Sequence, residues 1–285
     1  MERVTTLPPI PTREPESHKG THGRALVIAG SVTMPGAAVL ATRAALRAGA
    51  GLVTAAIPSM LSPILATTVP EATQLHLDGD APRCLESLKA ACKAQPGYSA
   101  IAIGPGLGTG EHTRLYMEWL LGNDRVPLVL DADALNVVAV TPELAHKPAM
   151  QRVWTPHPGE FQRLTRDKLE GEEARLDRVG TAASRFGGVW VLKGHRSVIH
   201  DGQRYAINST GNPGMATGGS GDVLTGIIAG LLAQGFEPFH AAHLGAHLHG
   251  AAGDLAALQL GEVSLNADDL NDFLPAAILQ YQRAP

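Results

Sequence analysis

Short apolar runs alternate along the chain with longer stretches whose apolar positions recur every three or four residues. The first run, Ala25-Leu-Val-Ile-Ala29, closes on Gly30-Ser31. It reads as a buried parallel strand, because a strand covered on both faces has no polar alternation. Met34-Pro-Gly-Ala-Ala-Val-Leu40 then enters a helix predicted to reach about Ala48, with Arg43 and Arg47 on its polar face and Gly49 and Gly51 stopping it. Residues 51–57 predict a second strand, 58–69 a short helix, 73–77 a strand, 81–95 a helix, 99–103 a buried strand, 111–121 a helix and 126–130 a strand. Further along, 152–155 is a strand, 171–186 a charged surface helix, and 188–199 a pair of strands joined at Lys193–Arg196. Asp201-Gly-Gln is a tight turn, so 196–200 and 203–207 predict an antiparallel hairpin. Helices to about Gln234, over 237–258 and over 267–282 complete the pattern. Such alternation builds an α/β fold: a three-layer α/β/α sandwich on a mostly parallel central sheet.

Residues 1–16 stand apart. Pro8, Pro9, Pro11 and Pro15 forbid a stable helix, so this is an N-terminal arm that packs on the domain or on a neighbouring subunit. Residues 17–285 show no repeat, low-complexity tract or linker, and one domain is the simplest account.

Composition narrows the function classes. Aromatics are only 4% while Gly and Ala abound, which favours close helix–sheet packing over an aromatic-rich β-sandwich. A formal net charge of -4 with no basic run argues against nucleic acid as a partner. Cys84 and Cys92 lie on one predicted helix and form no CxxC or disulfide framework, which fits a reducing cytoplasm. No apolar stretch approaches the roughly 20 residues of a membrane span, and the N-terminus lacks a signal-peptide apolar region.

The candidate chemistry centres on Asn212-Pro-Gly-Met-Ala-Thr-Gly-Gly-Ser-Gly-Asp222. A glycine-rich turn feeding a helix N-terminus exposes unpaired N–H groups that suit phosphate. Gly218, Gly219, Ser220 and Gly221 would form that anion hole. Asp222 reads either as a first-turn acid or as a proton acceptor that the helix dipole keeps ionised. Gly104-Pro-Gly-Leu-Gly108 follows a predicted strand, and in open α/β sheets that edge is where ligands bind. Asp131 and Asp133, past the next strand, can serve magnesium through water; for Asp133, capping the following helix is an equal reading. His157 sits between two prolines, which favours a positioned side chain. Lys193 and Arg196 are either phosphate donors or a solvated hairpin tip. His243 and His247 stand four apart without the HExxH glutamate, so His240, His243, His247 and His249 read as helix-packing residues. The Walker A loop and the Rossmann GxGxxG are both missing. Together these turns point to phosphoryl chemistry on a hydroxyl, with Asp222 taking the proton.

Gly-Gly-Ser-Gly-Asp222 resembles the anion-hole and catalytic-Asp motif of the ribokinase-like superfamily. With His18-Lys-Gly, Gly104-Pro-Gly, Asp131-Ala-Asp-Ala-Leu-Asn136, Thr155-Pro-His-Pro-Gly-Glu-Phe161, Leu192-Lys-Gly-His195 and Asn212-Pro-Gly-Met-Ala216 in order, the chain resembles the ADP-dependent NAD(P)H-hydrate dehydratase family from residue 17 to about 275. The resemblance implies a repair enzyme. It would dehydrate the S epimer of hydrated NADH or NADPH (NADHX, NADPHX), consuming ADP with Mg2+ and releasing AMP and phosphate; eukaryotic members use ATP. It implies that Ala37, Gly106, His157 and Asp222 contact the hydrated dinucleotide, and that Lys193, Gly194, His195, Arg196, Ser197 and Gly221 contact ADP or AMP. No residue is expected to ligate the metal directly. A cytoplasmic homotetramer is expected, with an epimerase supplied elsewhere. The competing readings are a ribokinase-like kinase of a thiazole or pyrimidine alcohol, and a non-catalytic nucleotide-binding regulator.

Overall fold

The computed structural model describes residues 1–283 apart from Pro96, Asp124, residues 146–148, Met150 and Glu170; the last two residues of the predicted domain lie outside the described residues. One ten-stranded sheet carries the fold, in the order β1-β10-β9-β8-β7-β6-β5-β2-β3-β4. The strands are β1 (Glu2–Arg3), β2 (Arg24–Ile28), β3 (Leu52–Ile57), β4 (Thr73–His76), β5 (Ala100–Ile103), β6 (Leu128–Leu130), β7 (Arg152–Trp154), β8 (Val189–Leu192), β9 (Val198–His200) and β10 (Arg204–Ile207). From β8 to β4 the pairing is parallel, and β9 runs antiparallel to both its neighbours. The mostly parallel α/β sandwich expected from the sequence is therefore present.

Helices cover both faces because the parallel strands are apolar on both sides. On one face lie α1 (Pro35–Arg47), α2 (Ser62–Thr68), α8 (Ser220–Ala233), α9 (Pro238–Leu260) and α10 (Ala267–Arg283); on the other lie α3 (Ala81–Lys93), α4 (Glu111–Leu121), α5 (Ala132–Val140), α6 (Pro158–Thr165) and α7 (Glu172–Phe186). Helix α8 crosses the middle of its layer, buried nearly all round. Its packing on α1 is backbone against backbone: a Cβ at Gly226 would come within 2.1 Å of the Ala41 carbonyl oxygen. No helix among the described residues is long and apolar enough to cross a membrane.

Two local features differ from expectation. Residues 158–165 form a helix that the short Pro-His-Pro-Gly segment conceals; Pro158 sits at its first position, where the missing N–H costs nothing. The arm, expected only to pack somewhere, begins as a strand. Glu2 and Val4 donate their N–H groups to Gln203 and Tyr205 carbonyls, so β1 covers the sheet edge left by β10. Val4, Leu7 and Ile10 then pack on the core of this same chain, and Tyr281 donates its hydroxyl to the Pro8 carbonyl at 2.8 Å.

Candidate active site

The chain runs from β2 to β3 and β4 on one side, then returns to β5 on the other side of β2. That reversal leaves a crevice at the carboxyl ends of β2 and β5, the position where open α/β sheets bind ligands. Here the Gly30 N–H donates to the Pro105 carbonyl at 2.8 Å, tying the two strand-end turns together. Gly104 lies against the Asp131 backbone: a Cβ would meet its carbonyl oxygen at 1.8 Å. The Gly108 N–H donates to Asp133 Oδ2 at 2.7 Å. Asp133 thus holds the glycine turn, a role the sequence reading did not reach. Ala37, in the first turn of α1, and Gly106 are brought into contact, since a Cβ on Gly106 would stand 2.8 Å from that of Ala37.

Three further strand ends carry charge. Asp131, at the end of β6, is 1% exposed. It starts α5 but makes no cap bond there. Ala132 behind it has φ 47°, a left-handed conformation that costs a non-glycine residue about 1 kcal/mol. The carboxylate instead accepts from Lys193 Nζ at 2.6 Å and from Thr225 Oγ1 at 2.8 Å. Lys193, at the end of β8, also lies 3.9 Å from Glu160 Oε2. So Lys193 is no solvated hairpin tip. Burial opposes its charge, but Asp131 and Glu160 outweigh that, and its pKa is raised.

Past β7, His157 and Glu160 form a capping box at the start of α6. The Glu160 carboxylate accepts the His157 N–H at 2.8 Å, while His157 Nδ1 accepts from the Gly159 N–H at 3.0 Å. An accepting Nδ1 places the ring proton on Nε2 when the imidazole is neutral. The ring is thereby oriented, with its exposed half outward. Burial raises the Glu160 pKa against the pull of Lys193.

The fourth element is the start of α8. Gly219 has φ 90° and would drive a Cβ to 2.5 Å from Leu40, so only glycine fits. Its conformation turns the chain so that the Gly221 and Asp222 N–H groups open the helix without i−4 partners. His249 on α9 donates from Nε2 to the Ser220 carbonyl at 2.9 Å. Burial brings the pKa of His249 down to about 4, so it is a neutral strut rather than a packing residue alone. His243 and His247 do pack as expected, against Phe239 and Tyr281. A side chain at Gly221 would stand 3.1 Å from Lys193 Nζ, so the ammonium lies under the first turn. Asp222 does not stay a fully ionised helix-start acid. Burial first, and then Asp131, raise its pKa to about 7 although Lys193 opposes them. The dipole of one helix end is weaker than removal from water beside other carboxylates.

The remaining positions of the predicted nucleotide set form the β8–β9 connection. Gly194, His195 and Arg196 are exposed. The connection is held in place by Ser197 Oγ donating to the Gly194 carbonyl at 3.0 Å and by Arg175 Nη1 donating to the His195 carbonyl at 3.1 Å. A wider recess of about 460 Å3 around Arg166, Lys168 and Arg178 shares no residue with any of these groups. Sequence reasoning missed Thr225 and Glu160 as members of the cluster. The signal for Thr225 was a lone hydroxyl in an otherwise apolar helix; for Glu160 it was the spacing His157-x-x-Glu160, which is that of a capping box.

Known proteins resemble this chain over most of its length. A family model described as NAD(P)H-hydrate dehydratase matches residues 25–276. A bifunctional NAD(P)H-hydrate repair enzyme of Moorella thermoacetica is 47% identical over 93% of this chain and 51% of that protein; the chain spans about half the length of such bifunctional relatives. The ADP-dependent (S)-NAD(P)H-hydrate dehydratase of Bacillus subtilis is 38% identical over 96% of this chain and 95% of that protein. A crystal structure of the ADP/ATP-dependent NAD(P)H-hydrate dehydratase from Bacillus subtilis, co-crystallised with ATP/Mg2+, superimposes with a TM-score of 0.82 at 36% identity, covering 96% and 95% of the two chains. A hydroxyethylthiazole kinase from Pyrococcus horikoshii, at 18% identity and a TM-score of 0.63, shares the fold. With a family match over most of its length and the strand-end turns in place, this chain belongs to the NAD(P)H-hydrate dehydratase family.

Proposed function

We propose that the protein catalyses ADP-dependent dehydration of the S epimer of hydrated NADH or NADPH. The observation that carries this reading is Asp222: a carboxyl with a pKa of about 7, in the first turn of a helix, beside a lysine held by Asp131. The hydroxyl of the hydrated ring attacks the β-phosphorus of ADP. Asp222 accepts the hydroxyl proton, the bond to the AMP oxygen breaks, and the unpaired N–H groups at Gly221 and Asp222 hold the transferring phosphoryl. The ring nitrogen lone pair then expels phosphate, and loss of a ring proton restores the dihydronicotinamide. Lys193, fixed by Asp131, supplies positive charge under the phosphoryl group. The oriented His157 and the Ala37–Gly106 contact border the space for the ring.

Magnesium belongs to the same reading. Asp131, Glu160 and Asp222 surround Lys193, and Asp133 stands near Asp222, so carboxyl groups outnumber the lysine at the site. Both Asp131 oxygens are already bonded, to Lys193 and Thr225. That fits an ion carried on the nucleotide phosphates, reached by these acids through water, whose chemistry is to neutralise phosphate charge. A cytoplasmic homotetramer goes with the reading, and light scattering tests the assembly.

The deciding experiment mixes the protein with hydrated NADH, Mg2+ and ADP and follows the return of dihydronicotinamide absorbance together with free phosphate. Recovery with neither ADP nor ATP overturns the proposal. A stable phosphate ester in place of free phosphate makes the protein a kinase of the same superfamily.

A further inference from the structure

The segment that leads into α8, residues 211–219, runs over the surface: Gly211, Pro213, Ala216 and Gly218 are exposed. Residues 247–254 of α9 hold it at both ends. At its start, Asp254 Oδ2 accepts the Gly211 N–H at 2.9 Å, and Asp254 Oδ1 accepts from Asn212 Nδ2 at 3.0 Å. Asn212 Oδ1 in turn accepts the Gly214 N–H at 3.0 Å. A carboxylate on one side and a backbone donor on the other fix which way that amide points. Thr210 Oγ1 donates to the His247 carbonyl at 2.9 Å. So close an approach needs glycines on the helix: a Cβ at Gly250 would stand 2.2 Å from Thr210 Oγ1, and one at Gly253 2.3 Å from Met215 Sδ. At the far end, His249 donates to the Ser220 carbonyl.

Helix α8 is entered through residues 216–219, two of which are glycines. Glycine backbone is soft, so the position of the turn depends on where its two ends are held. The rival account is that burial of α8 sets the turn without help.

We propose that Asp254 is a positioning residue for the anion turn: with His249 it seats residues 211–220 on α9 and so aims the Gly221 and Asp222 amides. The proposal rests on the function proposed above and adds a support to its site. Asp254 acts through Asn212 and the backbone, not on the substrate. Amides that hold a transferring phosphoryl work only in place, and a displacement of about 1 Å costs up to roughly 10²-fold in rate.

An exchange of donor and acceptor tests this. Asn212→Asp sets two carboxylates against each other. Asp254→Asn sets two amide NH2 groups against each other, since its oxygen is needed by the Gly211 N–H. In the double variant, Asn212→Asp with Asp254→Asn, the new amide donates to the new carboxylate and all three hydrogen bonds return. With rates taken per folded protein, kcat on hydrated NADH should fall roughly tenfold or more in each single variant and return to within about threefold of the parent in the double. The KM for hydrated NADH should stay within about twofold throughout. Gly250→Ala drives Thr210 off α9 through a different contact; it should lower kcat in the same way and keeps the test open if the charge variants do not fold. A second readout needs no turnover. The Val223 N–H donates to the Gly219 carbonyl at 3.2 Å, and its hydrogen exchange should be roughly tenfold faster in the single variants and back at the parent rate in the double. Unchanged kcat in folded single variants, or a double variant that does not recover, overturns the positioning role and leaves the parent activity standing. If the parent protein turns over no hydrated NADH, the proposed function falls, and the exchange rates alone decide whether Asp254 holds the turn.

Discussion

The two flanks of the α8 start are built from opposite materials. On the β6–β8 side, buried Asp131 and Glu160 and half-buried Lys193 are locked by ion pairs. On the β2–β5 side, the turns touch through backbone and methyl groups, with Gly104 on the Asp131 carbonyl and Gly106 on Ala37. Charge acts through space and sets protonation; close contact sets position. Substitutions that remove a charge from the charged flank should move the pH profile, and those on the glycine flank should move KM and leave the profile where it is.

Asp222 stands between the flanks, and its removal has the largest expected effect. Asp222→Asn should lower kcat by roughly 10²–10⁴-fold, the usual contribution of a positioned proton acceptor. It should also stabilise the fold in alkaline buffer. The Asp222 pKa is raised from 3.8 to about 7, so the carboxyl's stabilising contribution is complete only below its unfolded value and is lost as pH climbs through 7. At pH 8 the asparagine variant should therefore be more stable, by on the order of 2–4 kcal/mol. That gap should close below pH 4, and chemical denaturation at the two pH values measures it. Equal stability at pH 8 would mean that Asp222 is not desolvated.

The charged flank is broken next by a pair of variants with opposite signs. Lys193 holds the Asp222 pKa down and Asp131 pushes it up. Lys193→Met should shift the acid limb of kcat/KM above 7, and Asp131→Asn should shift it below. Each also leaves a buried partner uncompensated, costing about 3–5 kcal/mol of stability, so both profiles are best recorded well below the melting temperature. Shifts of the same sign would refute the electrostatic account. On the glycine flank, Gly106→Val faces a φ of 64° and a collision with Ala37. The KM for hydrated NADH should rise about tenfold, 1.4 kcal/mol of lost binding, with the acid limb of the parent. A displaced limb would show that the flanks are not separable.

How much of this was legible follows the same division. The glycine flank and Asp222 could be read because backbone-limited residues announce themselves: glycines and prolines cluster in Gly104–Gly108, Pro156–Gly159 and Gly218–Gly221, all at strand ends or a helix start. The parallel sheet was equally plain from its doubly apolar strands. The charged flank was not. The Lys193–Asp131 pair joins residues 62 apart, and the Thr225–Asp131 bond joins residues 94 apart. Only strand order, with β6, β7 and β8 adjacent, and the packing of α8 over β6 bring them together. The shift of Asp222 was hidden for the same reason: local sequence shows the helix start, whereas burial and Asp131 are tertiary facts. The β1 strand was obscured because two residues carry no periodicity, and its partner is an edge reached late in the chain.

Thr225 gives the smallest and sharpest test of the charged flank. Its hydroxyl is fully buried and donates to the Asp131 oxygen that Lys193 does not hold. Thr225→Val keeps the shape and removes the donor, leaving one carboxylate oxygen without a partner; the expected stability loss is about 1–3 kcal/mol. Asp131 remains charged and paired with Lys193, so the field at Asp222 is almost unchanged. The acid limb should hold its position and kcat/KM should stay within about threefold. Thr225→Ser restores the donor and should recover most of the stability. If Thr225→Val instead moves the limb as far as Lys193→Met does, then Asp131 is oriented by the threonine rather than by the lysine. The cage around Lys193 would then be a consequence of α8 packing and not its own determinant.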